Sequence, residues 1–350
     1  MADDKTGGDG ARNRRSTKKI VVLFVVVLII GLGAGVGMNF ILSEPKAKKS
    51  ENKAAQSNSH GSKKSASTQP NGSSSSAKSS QKLEAFSSTN AMSHVSALSE
   101  QIGPRKAGSM QESGAADYIV ARLGEYGYTV EEQPFTMSDG FGSRNVVATK
   151  GGTREGYTVV IAAHYDSPVD SPGAVDNASG VGVALELARI FAASNLETSL
   201  QFAFFGANRP GTGEQDQRLE GARHFVDLLG TLQKKEIIGM IALDSVGQGG
   251  VLTLRTEETG LQRLRDKLRT FAGEKNISVT SLKSTDDSDN IPFEDAKVPA
   301  VWVEWCDAGG ALNTDNLFAS VDHGKLAAVG NLVESFLTNL SPEDLEELKY

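Results

Sequence analysis

Apolar side chains follow three rhythms along this chain. From Ile20 to Leu42 they run almost unbroken and without charge, over 43–88 they nearly vanish, and over 89–340 they recur with helical or strand periods. In that third stretch Ala116, Ile119, Leu123 and Tyr126 share one face of a helix predicted over 111–126, which Gly127 ends. Val181, Ala184, Leu185, Ala188 and Phe191 mark a second amphipathic helix, and similar patterns predict helices over 90–100, 222–229, 258–272 and 323–337. Tyr157–Ala163, Ser199–Phe205, Ile237–Leu243 and Ala300–Trp305 are continuous apolar runs of strand length, the mark of strands covered on both faces. Asn145–Thr149 reads as a short strand and the stretch TVEEQPF as an edge strand. Strands alternating with helices predict an α/β fold: one mostly parallel central sheet with helices on both faces.

The apolar run 20–42 would make about 34 Å of helix, enough to span a bilayer core of about 30 Å. Arg12, Arg14, Arg15, Lys18 and Lys19 precede it. Positive charge resists translocation, so the expected topology has the N-terminus in the cytoplasm and the remainder outside the cell membrane. The run is longer than the roughly 7–15 apolar residues of a cleaved signal peptide, so an uncleaved, single-pass signal anchor is expected. The Ser- and Lys-rich stretch that follows has too few large apolar side chains to offset its own ordering entropy and reads as a disordered stalk. The predicted organisation is therefore a basic cytoplasmic tip (1–19), an anchor (20–42), a stalk (43–88), one folded domain (89–340) and a C-terminal tail (341–350).

The net charge of -7 is uneven, because many of the clustered basic residues fall before the domain. An acidic domain without basic stripes argues against a nucleic-acid partner. Cys306 is the only cysteine, so no internal disulfide forms.

In a parallel sheet, ligands gather beyond the carboxyl ends of the strands. Polar residues stand there after each predicted central strand: His164 and Asp166, then Asn208 and Arg209, then Asp244, then Asp307. Asp176 lies in PGAVDNASG, a turn feeding a helix. One imidazole and two carboxylates, His164, Asp176 and Asp244, form a ligand set of the kind that leaves zinc an open position. Each residue alone is more readily a cap or a loop hydrogen bond; the three together are what point to a metal.

The stretches AAHYDSP, SPGAVDNASGVGVALELARIF, LQFAFFGA, LEGARHFV and ALDSVG resemble the co-catalytic zinc aminopeptidase family, which also contains glutaminyl cyclases. RKAGSMQESGAADYIVARLGEYGYTVEEQPF is similar to that family's N-terminal region and SDNIPFEDAKVPAVWV to its last core strand. The resemblance implies a zinc exopeptidase-like fold acting on peptides, with His164 and Asp244 as ligands to a first metal. It further implies Asp176 as the bridging carboxylate and Asp166 as the group that orients His164. Two departures stand out. The family reads Glu-Glu, its general base and a second-metal ligand, where this chain reads Asn208-Arg209. The family's final histidine falls on Asn313. The resemblance thus implies two zinc ions, and the departures leave one complete site with weak or no hydrolysis. Glu214, Asp307 or Glu304 could stand in for a missing base or ligand, which would keep an active aminopeptidase. A non-catalytic peptide-binding or structural surface protein is the remaining alternative. Glutaminyl cyclase fits less well, since its chemistry uses the missing second-metal residues.

Overall fold

The computed structural model describes residues 84–208, 218–257, 260–284, 288–311 and 315–350. The anchor, residues 43–83 of the expected stalk, Arg209, Glu214 and Asn313 lie outside them. The stretch 84–88, read in sequence as the end of the stalk, belongs to the folded domain, with Phe86 buried in its main hydrophobic cluster and Ser87 capping the first helix. Among the described residues no helix is long and apolar enough to cross a membrane.

The chain enters through α1 (Ser88–Ser96), capped by the Ser87 hydroxyl, and a short π-helical turn (Ala97–Ile102). It continues through α2 (Met110–Glu125), capped by Ser109, to the hairpin β1 (Val130–Thr136) and β2 (Gly142–Lys150). Then come β3 (Thr158–His164), α3 (Ser179–Phe191), β4 (Ser199–Phe205), α4 (Glu220–Leu228), α5 (Thr231–Glu236) and β5 (Ile237–Leu243). The remainder is β6 (Val251–Thr256), α6 (Arg263–Glu274), β7 (Thr280–Lys283), α7 (Asn290–Asp295), β8 (Ala300–Cys306), α8 (His323–Thr338) and α9 (Pro342–Lys349).

Eight strands form one sheet in the order β1-β2-β4-β3-β5-β8-β6-β7. Its centre, β4-β3-β5-β8, is parallel throughout, with Ile161 in register with both Phe202 and Ile241. The flanks mix directions: β1 with β2, β2 with β4, and β6 with β8 are antiparallel. The reason is connection length. The turn at 137–141 joins β1 to its neighbour β2, and the links at 151–157 and 244–250 are too short for a crossover helix, so β3 runs against β2 and β6 against β5.

Alternation along β3 explains its unbroken apolar run. Val159, Ile161 and Ala163 face a large cluster with α1, α3 and α8, while Val160 and Ala162 face a smaller one built on Phe205, Phe225, Phe293 and Trp302. The segment set apart in sequence as a tail, 341–350, carries α9, with a capping box from Ser341 and with Leu345 and Leu348 buried in the larger cluster. Cys306 is buried and unpaired.

Candidate metal centre

Because β3, β4 and β5 run parallel, their carboxyl ends open on one edge of the sheet. His164 is the last residue of β3, Asp244 directly follows β5, and Asn208 lies just past β4. Asp176 comes from the turn that feeds α3. Gly173 permits that turn: its φ of 61° is left-handed, and a Cβ there would sit 2.4 Å from Ser167 Cβ. Gly180 lets the first turn of α3 close on the end of β5, where a Cβ would meet the Leu243 carbonyl at 2.0 Å.

Buried donors hold this edge in place. Arg105 donates to the carbonyls of Leu98, Gly103, Tyr165, Pro172 and Gly173, tying together the two loops that carry Asp166 and Asp176. Burial lowers its guanidinium to about 10, against the pull of Asp166 and Asp176, so it stays charged at neutral pH. Asn316 accepts from the backbone N–H of Val175 and of Asp176 and donates to the Asp176 carbonyl. Glu112 accepts from Ala207 N, Gly108 N and Ser143 Oγ, fixing the turn that presents Asn208. Burial, helped by Asp166, raises the Glu112 carboxyl to about 7.

Within that frame one ligand atom each of His164, Asp176 and Asp244 lies within 4.8 Å of the others. His164 Nδ1 pairs with Asp166 Oδ1 at 3.2 Å, which turns Nε2 toward the two carboxylates. Nε2 stands 3.1 Å from Asp176 Oδ1 and 3.7 Å from Asp244 Oδ1, yet it is buried and makes no hydrogen bond of acceptable angle. Ligands at about 2.0–2.1 Å from a tetrahedral zinc stand about 3.3 Å apart. The imidazole and two carboxylates therefore fit such an ion in spacing and chemistry. Burial opposes a charge on His164, but Asp166, Asp176 and Asp244 hold the ring well above its ordinary range, a measure of how much negative charge the cluster carries. Ser245 and Ser288 donate to the two oxygens of Asp244, and Trp302 Nε1 donates to its carbonyl.

Asn208 is buried beside this cluster. Its N–H donates to Asp166 Oδ1 at 3.0 Å and its Nδ2 donates to Asp289 Oδ1 at 3.0 Å. Burial, with Asp244 and Asp166 nearby, raises the Asp289 carboxyl to about 7 against the opposing effects of His164 and the Asn208 amide. Asp289 and Ser288 sit in the quoted SDNIPF stretch, but nothing in their spacing singles them out. Arg105 and Asn316 likewise carry no signal in sequence beyond a polar residue in a loop.

The proposed substitutes among the described residues do not join the cluster. Asp307 is exposed and caps its own turn, accepting from Gly309 N and Ala311 N. Glu304 is buried against Arg255 and Thr253.

A profile of peptidase family M28 matches residues 145–333. Aminopeptidase YwaD of Bacillus subtilis is 32% identical over 153 residues, 43% of this chain and 32% of that protein. Leupeptin-inactivating enzyme 1 of Streptomyces exfoliatus is 27% identical over 247 residues, 68% of this chain and 51% of that protein. The chain thus spans about a third to a half of the length of these curated relatives. The structure of a zinc aminopeptidase from Bacillus subtilis superposes with a TM-score of 0.65 at 19% identity, covering 73% of this chain and 95% of that one. A Porphyromonas gingivalis glutaminyl cyclase superposes with a TM-score of 0.64 at 23% identity, covering 72% and 98%.

Proposed function

This chain belongs to peptidase family M28, and from that premise we propose that it is a membrane-anchored, extracytoplasmic zinc aminopeptidase-like protein that binds one zinc ion and peptides but hydrolyses them weakly or not at all. The observation that carries this reading is the pairing of a tight His164–Asp176–Asp244 cluster with a carboxamide, Asn208, at the position of the family's base. A zinc ion held by those three side chains would polarise a bound water or carbonyl oxygen. Asp166 accepts from His164 Nδ1, which aims Nε2 at the cluster, where a bound zinc ion would take the place of its proton. Ser245 and Ser288 hold both Asp244 oxygens in place. Asn208 positions Asp289 through its amide, but a carboxamide takes up no proton at any working pH. Loss of a general base costs roughly 10²–10⁴ in rate. Arg209 places a further cation in the stretch where the family has a metal-binding glutamate, which supports one ion over two.

One observation favours a second reading, an active aminopeptidase. The Asp289 carboxylate is hydrogen-bonded to Asn208 and so stands next to the vacant role. The test is metal analysis of the purified full-length chain after zinc loading, beside hydrolysis of amino-acid anilides. About one zinc per chain is expected, falling to none in His164→Ala; two at full occupancy overturn the reading. Asn208→Glu with Arg209→Glu and Asn313→His should gain far more activity than any single change, since such residues act as a unit. Robust wild-type hydrolysis that Asp289→Asn abolishes would establish the second reading instead.

A further inference from the structure

At the opposite edge of the sheet, by the amino ends of β5 and β8, lies a cavity of about 540 Å³ floored by Ile237 and Pro299. The strands between it and the metal cluster put the two on the order of 20 Å apart. Its walls carry Lys234, Lys235, Arg263, Lys297 and Lys349, and no acidic side chain. That is unusual in a domain whose acidic residues outnumber its basic ones. None of the five is ion-paired among the described residues, whereas Lys267 close by pairs with both Asp344 and Glu347.

Two of the cations are held in place by neutral groups. Arg263 donates to the carbonyls of Leu348 and Lys349. Lys349 Nζ donates to the Gly156 carbonyl at 2.9 Å and lies 4.1 Å from the centre of the Tyr157 ring. Such partners orient a cation without cancelling its charge. Lys297 adds an independent sign. Its φ of 62° is left-handed, a conformation at which glycine is at ease and a lysine is strained. A lysine at that place supplies a charge to the cavity rim at a conformational cost.

We infer that this cavity is an anion site, separate from the metal centre, which takes a phosphate-bearing ligand. Five cations lining one concave, partly apolar pocket of ordinary ligand size match a phosphoryl group in charge, and lysine and arginine are its usual partners. The phosphate can come from a free ion or monoester, or from a phosphodiester such as a lipid headgroup or polymer carries.

The test is calorimetric titration of the zinc-loaded full-length chain in detergent at low salt, with inorganic phosphate in one arm and glycerophosphoglycerol in the other. Saturable binding of at least one is expected. Lys297→Gly combined with Lys234→Glu should weaken it at least 10-fold, with zinc content unchanged. Lys297→Gly alone should weaken it while leaving the melting temperature equal or higher, which separates lost binding from lost folding. Binding of the phosphate alone assigns a free ion or monoester, and binding of the diester assigns the headgroup type. Absence of saturable binding in both arms overturns the proposal. So does binding that persists in the lysine variants, or binding that vanishes in His164→Ala, which would place the anion on the metal.

Discussion

At the scale of single residues, the site is held together by side chains outside the His164–Asp176–Asp244 cluster. Arg105, Asn316 and Glu112 hold the loops that bring His164, Asp176 and Asn208 together. Glu112 offers the most direct test, because its two carboxyl oxygens meet Gly108 N, Ser143 Oγ and Ala207 N, and an amide nitrogen in place of either oxygen would face a donor. Glu112→Gln leaves at least one buried N–H opposed by an amide and should cost about 1–3 kcal/mol of stability. The cost should depend on pH, with a sign that follows from the direction of the shift. The folded-state carboxyl is raised from 4.5 to about 7 by burial, so between those values the folded state binds the extra proton. Wild-type stability from this group is then greatest at and below about 4.5 and is lost as pH rises toward about 7. Gln does not titrate, so the difference between wild type and variant should be larger at pH 5 than at pH 8 in denaturant melts. A difference that is flat over this range contradicts the raised carboxyl.

At the scale of elements, the four central strands carry the site and the flanking pieces close the fold around it. β6 and β7 extend the sheet beyond β8, and neither has the apolar run that marks the central strands. β6 buries Thr253, Arg255 and Thr256 alongside Leu252 and Leu254, so its burial is not written in apolar residues. β7 is only four residues long. α9 reads in sequence as a charged tail, but its two apolar positions dock into the main cluster. Leu345→Ala should therefore cost about 2–5 kcal/mol, the usual range for emptying a buried leucine site. A melt within about 0.5 kcal/mol of wild type would show that α9 is not part of the cooperative unit.

At the scale of the whole molecule, the described residues from 84 onward pack around hydrophobic clusters of their own. The basic cluster Arg12–Lys19 ahead of that run sets the expected topology. Protease added to intact cells that express the chain should release fragments of the 89–350 region and leave residues 1–19 inside. Full protection of that region, or recovery of a soluble form lacking residues 1–37, contradicts the anchored topology.

Periodicity and spacing by themselves determined the α/β class, the four buried strands and the edge where ligands gather, because a strand covered on both faces has no polar alternative. The bounds of β4 and β5 were legible to the residue, since apolar runs stop where burial stops. His164, Asp176 and Asp244 were legible as candidates because each follows a strand end or a glycine-opened turn. Other features depended on neighbours remote in sequence. Short links, not strand composition, reverse β2 against β1 and β6 against β5, while β7, reached through α6, runs parallel to β6. Glu304 faces Arg255 across β6 and Asp307 caps a local turn, so both are spent before either could serve the cluster. Asp289 meets Asn208 from 81 residues away. The basic cavity gathers cations from α5, α6, α9 and the end of α7 that form no run in the chain, so only the folded arrangement brings their charges to one place.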